Sequence, residues 1–264
     1  MRFFPPVPWR TIPPNLITAT AMACGIYSIF LSLSGGDHSD TRILGHAAWY
    51  VLLSTLLDKA DGSVARALKG SSEFGVQFDS FADSVAFGLA PGALVFASAQ
   101  ALAPLTWGLD AHVLGVPAVP LLAVICLLYA IFTSVRLARF NVITAEMGPN
   151  LFLGLPSTLS GGLICSAFLT IHELGLESPA LYRLFPALLV LNAALMVSNL
   201  PLPKLHLSAH PAAKGLQVGA AVAVYVTVLA RTGFTFVLAL LLGYLAFGFA
   251  VQGPRMWRER QQQG

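Results

Sequence analysis

The amino-acid sequence predicts an all-α integral membrane protein, a bundle of about eight transmembrane helices with both termini in the cytoplasm. Of its 264 residues, 56% are hydrophobic and only 10% are charged, whereas soluble domains carry about 25% charged residues. The mean hydropathy is +0.74, and apolar stretches of about 20 residues, the length that crosses the hydrocarbon core, recur along the chain. A formal net charge of +3 is too small to indicate a nucleic-acid partner.

Eight apolar segments have the length and composition of membrane-spanning helices. The second and third contain aspartates, yet both are otherwise apolar and rich in alanine and leucine, so we include them as spans. The seventh and eighth are separated only by Arg231, Thr232 and Gly233, which indicates a tight helical hairpin. The predicted spans are residues 15–35, 45–68, 77–103, 117–140, 155–173, 181–200, 212–230 and 233–252.

The lysines and arginines are distributed unevenly between the two sides of this bundle. Cytoplasmic loops of membrane proteins carry an excess of these residues, and an even number of spans puts both termini on one side. That side receives eleven of the fifteen, the other side receives Arg42, Arg183 and Arg231, and Lys59 lies within a span. The pattern therefore predicts that both termini are cytoplasmic. The eleven cations are Arg2, Arg10, Arg66, Lys69, Arg136, Arg139, Lys204, Lys214, Arg255, Arg258 and Arg260.

The chain is predicted to form a single membrane-embedded domain over residues 1–264, because no linker, repeat or low-complexity segment divides it. Residues 1–12 combine prolines with aromatic residues, a composition typical of a segment lying at the membrane surface. Residues 12–165 carry the polar motifs described below. Residues 166–252 add further spans, and residues 253–264 form a cytoplasmic tail.

Four aspartates interrupt this lipid-like sequence in the pattern D-x2-D-G-x2-A-R-x8-G-x3-D-x3-D. Asp58 and Asp61 lie in the second predicted span, and Asp79 and Asp83 lie in the third. An ionised side chain inside a bilayer costs about 3 kcal/mol or more unless it is paired or hydrated. Because few cationic residues lie nearby, bound divalent cations are the expected counter-charge. The nearby cations are Lys59, Arg66 and Lys69.

Helical periodicity places the four acids on two facing stripes. Positions i, i+3, i+4 and i+7 share one face of a helix, so each pair of aspartates lies on a single face. The short turn at residues 69–72 makes the two helices antiparallel neighbours, with both acidic stripes near their cytoplasmic ends. Facing carboxylates from two helices are a common way to bind hard cations. Small residues on the same faces allow a ligand to approach the backbone closely; they are Gly62, Ala65 and Gly75.

Buried acids in membrane helices also form structural polar networks, proton relays and the ion sites of cation-coupled transporters. A transporter typically places its acids near the midplane of the bilayer and has repeated halves. Here the acids cluster near one face, within one third of the chain, in register with three small residues and an arginine. The pattern therefore favours an active site with bound metals over a structural network, a proton relay or a transport site.

The chain resembles the CDP-alcohol phosphatidyltransferase family at all eight fixed positions of this pattern, and its first span opens with the similar P-N-x-x-T. The resemblance implies a membrane enzyme, typically a homodimer, that moves a phosphatidyl group from a CDP-linked lipid to an alcohol and releases CMP. It implies two Mg²⁺ or Mn²⁺ ions, the first held by Asp58, Asp61 and Asp79. The second is held by Asp61, Asp79 and Asp83, and Asp83 also acts as general base. The CDP-lipid contacts that it implies are Asn15, Thr18, Asp58, Asp61, Gly62, Ala65, Arg66, Gly75 and Asp79.

The chemistry of such a transfer fits these residue types. Displacement of CMP from a diphosphate requires that charge on the phosphate oxygens be neutralised, which Mg²⁺-type ions accomplish. The attacking hydroxyl must lose its proton, and a carboxylate within hydrogen-bond reach can accept it. Ions of this type favour carboxylate ligands and retain water, so a site at the watery end of a helix bundle suits them.

A second polar motif, RLARFN at residues 136–141, stands at the cytoplasmic end of the fourth predicted span. Arg136 and Arg139 are spaced i, i+3, so both could reach one anion, and a guanidinium group suits a carboxylate or a phosphate. Asn141 is a candidate partner for an amino-acid substrate or for an arginine. The arginines could equally hold the donor phosphates, or serve only as anchors at the end of a span.

This motif, followed by F-x-G-L-P-S at residues 152–157, resembles the phosphatidylserine synthase branch of the family, as does DSFADSVAFGLAPG at residues 79–92. The resemblance implies CDP-diacylglycerol and L-serine as substrates. Thr158 and Leu159 depart from the branch pattern, which has a proline and a small residue there. Glycerol 3-phosphate, choline and inositol phosphate are the alternative acceptors. Choline would favour an aromatic cage over arginines, and the phosphate-bearing acceptors would require more cations near the site.

Overall fold

The structure, a computed structural model, describes residues 8–38, 40–143, 151–203 and 211–263. The described chain is largely helical, with two antiparallel pairs of very short strands. A 3-10 turn, Trp9–Thr11, precedes the first α-helix, and a π-helical segment, Ser84–Leu89, joins α3 to α4. The α-helices are α1 (Ile12–His38), α2 (Thr41–Leu68), α3 (Glu73–Asp83), α4 (Ala90–Leu102), α5 (Pro104–Trp107), α6 (Ala118–Ile143), α7 (Ser157–Glu173), α8 (Pro179–Tyr182), α9 (Phe185–Val197), α10 (Pro211–Ala230) and α11 (Phe234–Gln263). The strands are β1 (His112–Val113), β2 (Val116–Pro117), β3 (Leu151–Leu153) and β4 (Pro201–Pro203).

The architecture is that of an all-α membrane protein, and helices cover each of the eight predicted spans. Within the described residues, four stretches are both long and apolar enough to cross a bilayer. Helix α2 is not among them, because its charged residues lower its hydropathy, and α10 and α11 contribute only shorter apolar stretches. The four stretches are Trp9–Gly35, Glu73–Leu102, Ala118–Val142 and Pro179–Val197.

Two of the predicted spans are built from more than one helical segment. The third, residues 77–103, consists of the later part of α3, the π-helical segment and α4. The sixth, residues 181–200, begins in α8 and continues in α9 after a break at Arg183. Of the cations used to orient the bundle, Arg2 and Lys204 lie outside the described residues.

The turn between α2 and α3 is built by local sequence signals. Helix α2 is followed by Lys69, whose φ of 50° is left-handed and ends the helix. Helix α3 begins after Ser72, whose hydroxyl accepts a hydrogen bond from the Gly75 N–H at 3.0 Å. Between them, Gly70 lies against the Arg10 carbonyl so closely that any side chain there would overlap it. The two helices therefore return antiparallel, and the start of the chain packs on the turn between them.

The core lies where α2, α4, α6, α7 and α9 meet, and α1 joins it through α2. Serine hydroxyls connect the first two helices: Ser28 Oγ donates to the Ala47 carbonyl at 2.8 Å, and Ser54 Oγ donates to the Ala21 carbonyl at 3.0 Å. Such bonds satisfy polar groups at helix interfaces in an apolar medium. The largest fully buried side chains are Tyr129, Tyr182, Phe87, Phe168, Leu44, Leu94, Leu122, Leu155, Ile164, Leu189 and Met196.

The π-helical segment directly after Asp83 is held by close contacts with three other helices. The Phe87 carbonyl accepts a hydrogen bond from Tyr129 Oη of α6 at 2.9 Å. At Gly25 of α1, an added Cβ would stand only 2.7 Å from a backbone carbon of this segment, and Gly161 of α7 packs against Phe87. π-Helical turns are rare and occur frequently at functional sites. Here the segment sets the position of Asp83 relative to α6 and α7.

The antiparallel pair of β3 and β4, which are separated in the chain by α7, α8 and α9, sets the starting point of α7. The two strands pair antiparallel, with Leu151 opposite Pro203 and Leu153 opposite Pro201. The chain then turns at Gly154, whose φ of 72° is left-handed. A side chain at this position would overlap a carbonyl at the end of α9. Helix α7 therefore begins at a defined place beside α9.

Candidate active site

Three of the four predicted metal-ligating aspartates converge between α2 and α3. One carboxylate oxygen from each of Asp58, Asp61 and Asp79 lies within 4.8 Å of the others. Asp61 is buried, and the other two are half-buried. Three hard oxygen donors at this separation suit a divalent cation such as Mg²⁺ or Mn²⁺. We call these residues the three-acid group.

The three-acid group has a partner on α1 and a weak cationic neighbour on its own helix. The Thr18 hydroxyl donates to Asp61 Oδ2 at 2.6 Å, and both side chains are buried. Hydrogen bonds of this kind orient carboxylates that bind metals. Lys59 Nζ lies 3.8 Å from Asp58 Oδ2, but the lysine side chain is 68% exposed, and an ion pair so exposed contributes little. Lys59 therefore offsets little of the negative charge of the group, and a bound cation would offset more of it.

Asp83 lies apart from the three-acid group, at the end of α3, and is only 8% exposed. Its Oδ2 accepts a hydrogen bond from Ser157 Oγ at 3.4 Å, and the same hydroxyl oxygen accepts one from Arg136 Nη1 at 3.1 Å. Asp83, Ser157 and Arg136 thus form a buried chain across α3, α7 and α6. The second predicted ion, which would bind between Asp83 and two members of the three-acid group, does not have its ligands gathered as closely as the first.

Ser157 is a site residue that the sequence pattern did not identify. It is fully buried, it is the first residue of α7, and its hydroxyl contacts both Asp83 and Arg136. The available signal was its place directly after a glycine- and proline-containing turn. A serine at such a place more often caps its helix, so the residue type alone did not indicate a contact with the acid.

A cavity of about 190 Å³ opens beside the acids, between the start of α1, the end of α2 and the start of α3. Eight of the nine residues predicted to contact the CDP-lipid line it, and Asp58 is the exception. Gly75 leaves room in it, since an added Cβ would stand 3.1 Å from Asn15 Oδ1. The remaining lining residues, which the sequence did not indicate, are Pro14, Gly70, Ser71, Ser72 and Val76.

The two arginines of α6 point to different partners, although their spacing suggested that they could share one anion. Arg139 donates from Nη1 to the Val197 carbonyl at 3.1 Å and from Nη2 to Asn199 Oδ1 at 2.5 Å. These bonds fasten the end of α6 to the chain that follows α9. Arg136 is 8% exposed, faces Ser157, and lies 5.2 Å from the centroid of the Phe140 ring. Only Arg136 is joined to Asp83.

Asn141, the third predicted acceptor-binding residue, joins α6 to α3. Its Nδ2 donates to Ser80 Oγ at 2.9 Å. Ser80 directly follows Asp79 in the chain, so this bond fixes α6 next to the acidic face of α3. In this structure the Asn141 side chain therefore positions α3 through Ser80 and, among the described residues, makes no hydrogen bond to the aspartates.

Comparisons with known proteins agree with these observations. The family model described as CDP-alcohol phosphatidyltransferase matches residues 11–203. The CDP-diacylglycerol–serine O-phosphatidyltransferase of Helicobacter pylori (strain ATCC 700392 / 26695) is 32% identical over 190 residues, which cover 72% of this chain and 71% of that protein. The enzyme of the same name from Bacillus subtilis (strain 168) is 28% identical over 211 residues, 78% of this chain and 96% of that protein. The archaetidylserine synthase of Methanothermobacter thermautotrophicus is 32% identical over 160 residues, 60% of this chain and 58% of that protein.

The matched residues contain every part of the site described above. They run from the start of α1 to the end of β4 and so include the three-acid group, the cavity beside it, and the buried chain from Asp83 to Arg136. Helices α10 and α11 lie beyond the match. Since it spans well over half of the sequence and contains the complete aspartate pattern, this chain belongs to the CDP-alcohol phosphatidyltransferase family.

Proposed function

We propose that this protein transfers a phosphatidyl group from CDP-diacylglycerol to the hydroxyl of L-serine, producing phosphatidylserine and CMP. The observation that carries this proposal is the three-acid group beside a cavity lined by the expected nucleotide contacts. The names of the Helicobacter pylori and Bacillus subtilis relatives support this donor and this acceptor.

The acids would hold the metal ions. Asp58, Asp61 and Asp79 would bind one Mg²⁺ or Mn²⁺, and a second would lie between Asp83 and the last two of these. When bound, such ions neutralise charge on the diphosphate oxygens of the donor. Thr18 keeps the Asp61 carboxylate oriented for this task through its 2.6 Å hydrogen bond.

The side chains around Asp83 would guide the acceptor. As the serine hydroxyl oxygen forms a bond to the phosphorus that bears the diacylglycerol, Asp83 takes the hydroxyl proton. The bond from that phosphorus to the bridging oxygen breaks, and CMP leaves with the electron pair. Ser157 holds the Asp83 carboxylate, and Arg136 provides a buried positive charge for the carboxylate of serine. Arg139 has no part in this scheme, because its Nη1 and Nη2 each donate to the chain at or just after the end of α9.

We place the active site on the cytoplasmic side, in a single catalytic domain with eight spans and both termini cytoplasmic. Helix α2 continues for seven residues beyond Asp61, which at 1.5 Å per residue puts the three-acid group about 10 Å from the α2–α3 turn. The distribution of lysine and arginine supports the cytoplasmic position of that turn. Assembly as a homodimer is proposed from the family resemblance alone.

The first experiment measures CMP release from CDP-diacylglycerol by the purified protein with Mg²⁺ or Mn²⁺. L-Serine, glycerol 3-phosphate, choline and inositol phosphate are supplied separately, and a chelator is expected to abolish the reaction. Release stimulated by serine alone is the expected result. Stimulation by another alcohol would retain the family chemistry and overturn the acceptor. No release with any acceptor, from protein shown to be folded, would overturn the enzymatic proposal in favour of transport or a structural role.

The role of Asp83 is tested by Asp83→Asn. Removal of a general base lowers turnover by about a hundredfold or more, while binding of CDP-diacylglycerol should remain. Asp110→Asn, on an exposed loop, is the control and should behave as the unaltered protein. If Asp83→Asn instead loses binding of the donor, Asp83 acts chiefly as a metal ligand.

A further inference from the structure

The first turn of α7 presents backbone N–H groups that no described residue uses. Its N-cap residue is Pro156, whose side chain cannot accept a hydrogen bond from them. Among the described residues, no acceptor bonds the N–H of Ser157, Thr158 or Leu159, and the first bond of the helix runs from the Ser160 N–H to the Pro156 carbonyl at 3.0 Å. The seventeen-residue helix also has the positive end of its dipole here.

A buried guanidinium group points at the same place. Arg136 donates from Nη1 to Ser157 Oγ at 3.1 Å, while its Nε is buried without a hydrogen-bond partner. No carboxylate oxygen of the described residues lies within salt-bridge distance of it. Asp83 and Asp58 act on the guanidinium only from beyond that distance, and a buried donor left without a hydrogen bond is costly. The arrangement therefore indicates an anion that is supplied by a ligand.

We infer that the first turn of α7 and Arg136 together bind the carboxylate of the acceptor amino acid. Free amides at a helix N-terminus bind anions, and the planar guanidinium matches a carboxylate. Asp83 does not fill this subsite, since it contacts the Ser157 hydroxyl and none of the amides. The inference rests on the proposed function and adds to it the residues that select the acceptor.

The subsite adjoins the proposed base, Asp83, through Ser157. Ser157 contributes its N–H to the subsite and its hydroxyl to Asp83, at 3.4 Å from Oδ2. In serine only Cβ and Cα separate the hydroxyl oxygen from the carboxyl group. A carboxylate held on α7 therefore brings the hydroxyl beside Asp83. An alcohol that lacks a carboxylate, such as ethanolamine or choline, would leave the amides and Arg136 without a partner, which a site built on polar contacts rejects strongly.

Thr158 has a backbone N–H that a proline at this position would lack, so its replacement by proline tests whether that N–H binds the carboxylate. The related synthase pattern has proline at this position, and proline has no N–H. Thr158→Pro removes one amide donor while preserving the helix start, because Pro186 occupies the same second position of α9. Thr235 is the second residue of α11 and is exposed, so Thr235→Pro is a matched exchange at a different helix.

The experiment measures CMP release by the full-length protein, with serine and CDP-diacylglycerol varied separately. Thr158→Pro is expected to raise the KM for serine about tenfold, since one hydrogen bond to a charged group is lost, with little change in the KM for the donor. Thr235→Pro should leave both KM values unchanged. Thr158→Ala, which keeps the N–H and removes the hydroxyl, should remain close to the unaltered protein. The unaltered protein should use L-serinamide, which has no carboxylate, at least a hundredfold less efficiently than serine.

The outcomes separate this inference from the proposed function. An unchanged serine KM in active Thr158→Pro, or an equal loss in Thr158→Ala, would overturn the role of the amide. A change confined to the donor KM would assign the subsite to phosphate and also overturn it. Equal use of serinamide and serine would overturn the carboxylate subsite without any variant. Absence of serine-dependent CMP release from the unaltered protein would overturn the proposed function itself.

Discussion

Thr18 reaches from α1 to the three-acid group with a single buried hydrogen bond to Asp61. Loss of such a supporting bond typically weakens metal binding by about tenfold to a hundredfold. Thr18→Val keeps the shape of the side chain and removes the hydroxyl. We expect the Mg²⁺ concentration for half-maximal CMP release to rise at least tenfold, measured by titration of the metal at saturating substrates.

The control for this variant lies on the same helix. The Thr20 hydroxyl donates to the Leu16 carbonyl of its own helix at 2.8 Å and is exposed, so Thr20→Val should leave the metal requirement unchanged. Equal metal requirements for the two variants would show that Thr18 does not orient Asp61.

Arg136 and Arg139 are predicted to have separable effects. Arg136→Gln removes the buried charge beside Ser157, so we expect the serine KM to rise about tenfold or more. Arg139→Gln removes two bonds to the chain after α9 and should lower Tm while leaving the serine KM unchanged. Thermal melting and steady-state kinetics of both variants provide the measurement. A raised serine KM in Arg139→Gln would contradict the division of roles.

At the scale of single residues, the predicted closeness of Asp58, Asp61 and Asp79 agrees with the structure, whereas the shared anion suggested for the two arginines does not. Helical spacing and the short turn between α2 and α3 bring Asp58, Asp61 and Asp79 together, because short side chains follow the backbone. Arg136 and Arg139 are long, and their directions depend on partners elsewhere in the chain: Asn199 lies 60 residues from Arg139. The residues next to an arginine in the sequence do not indicate a partner that lies so far along the chain.

At the scale of elements, the start of α7 depends on Gly154. Its positive φ disfavours any other residue, and a Cβ would also overlap the Met196 carbonyl. We expect Gly154→Ala to lower the free energy of unfolding by about 2 kcal/mol or more and to reduce turnover, since α7 carries Ser157. Unfolding and CMP-release measurements would test this expectation.

Gly175 provides the matched comparison for this variant. Its φ of 63° is also left-handed, but nothing lies within 4 Å of an added Cβ there. Gly175→Ala should therefore show only backbone strain of about 1 kcal/mol and unchanged turnover. Similar losses of activity in both variants would refute a specific role for the turn at Gly154.

The π-helical segment within the third span could not be predicted from its composition. Residues 84–89 are mostly apolar, as α4 after them is, and a π-helical turn does not change the hydrophobic periodicity in a recognisable way. The segment is held by Tyr129 of α6 and by the close approach of Gly25 of α1. Both lie far from it in sequence, so their contribution appears only in the folded chain.

At the scale of the whole molecule, the position of the active site relative to the membrane gives a further prediction. Leu114, at the tip of the β1–β2 hairpin, is 99% exposed, and Ser71 lies on the α2–α3 turn beside the cavity. In intact cells we expect a membrane-impermeant thiol reagent to label Leu114→Cys and to label Ser71→Cys only after permeabilisation. The unaltered chain, with its three native cysteines, measures the background. Labelling of Ser71→Cys in intact cells would reverse the proposed orientation.

The hydropathy of α2 alone does not identify it as a membrane span, although α2 is a long helix within the bundle. The number of spans is therefore harder to predict than their positions. The sequence indicated eight apolar segments, and helices cover all of them, yet only four described stretches are long and apolar enough by themselves. Helix α2 carries Asp58 and Asp61, and its neighbours α1 and α3 cover much of that polar face. A hydropathy average over one stretch of sequence takes no account of the helices that pack against that stretch.

The depth of the three-acid group, near one end of the bundle, bears on the membrane as a whole. On the proposed orientation, every new phospholipid enters the leaflet that faces the cytoplasm. That leaflet would gain molecules while the opposite leaflet gains none. The two monolayers can then keep equal areas during growth only if lipid moves between them by a separate route. The rate of this reaction therefore determines how much lipid must cross the bilayer.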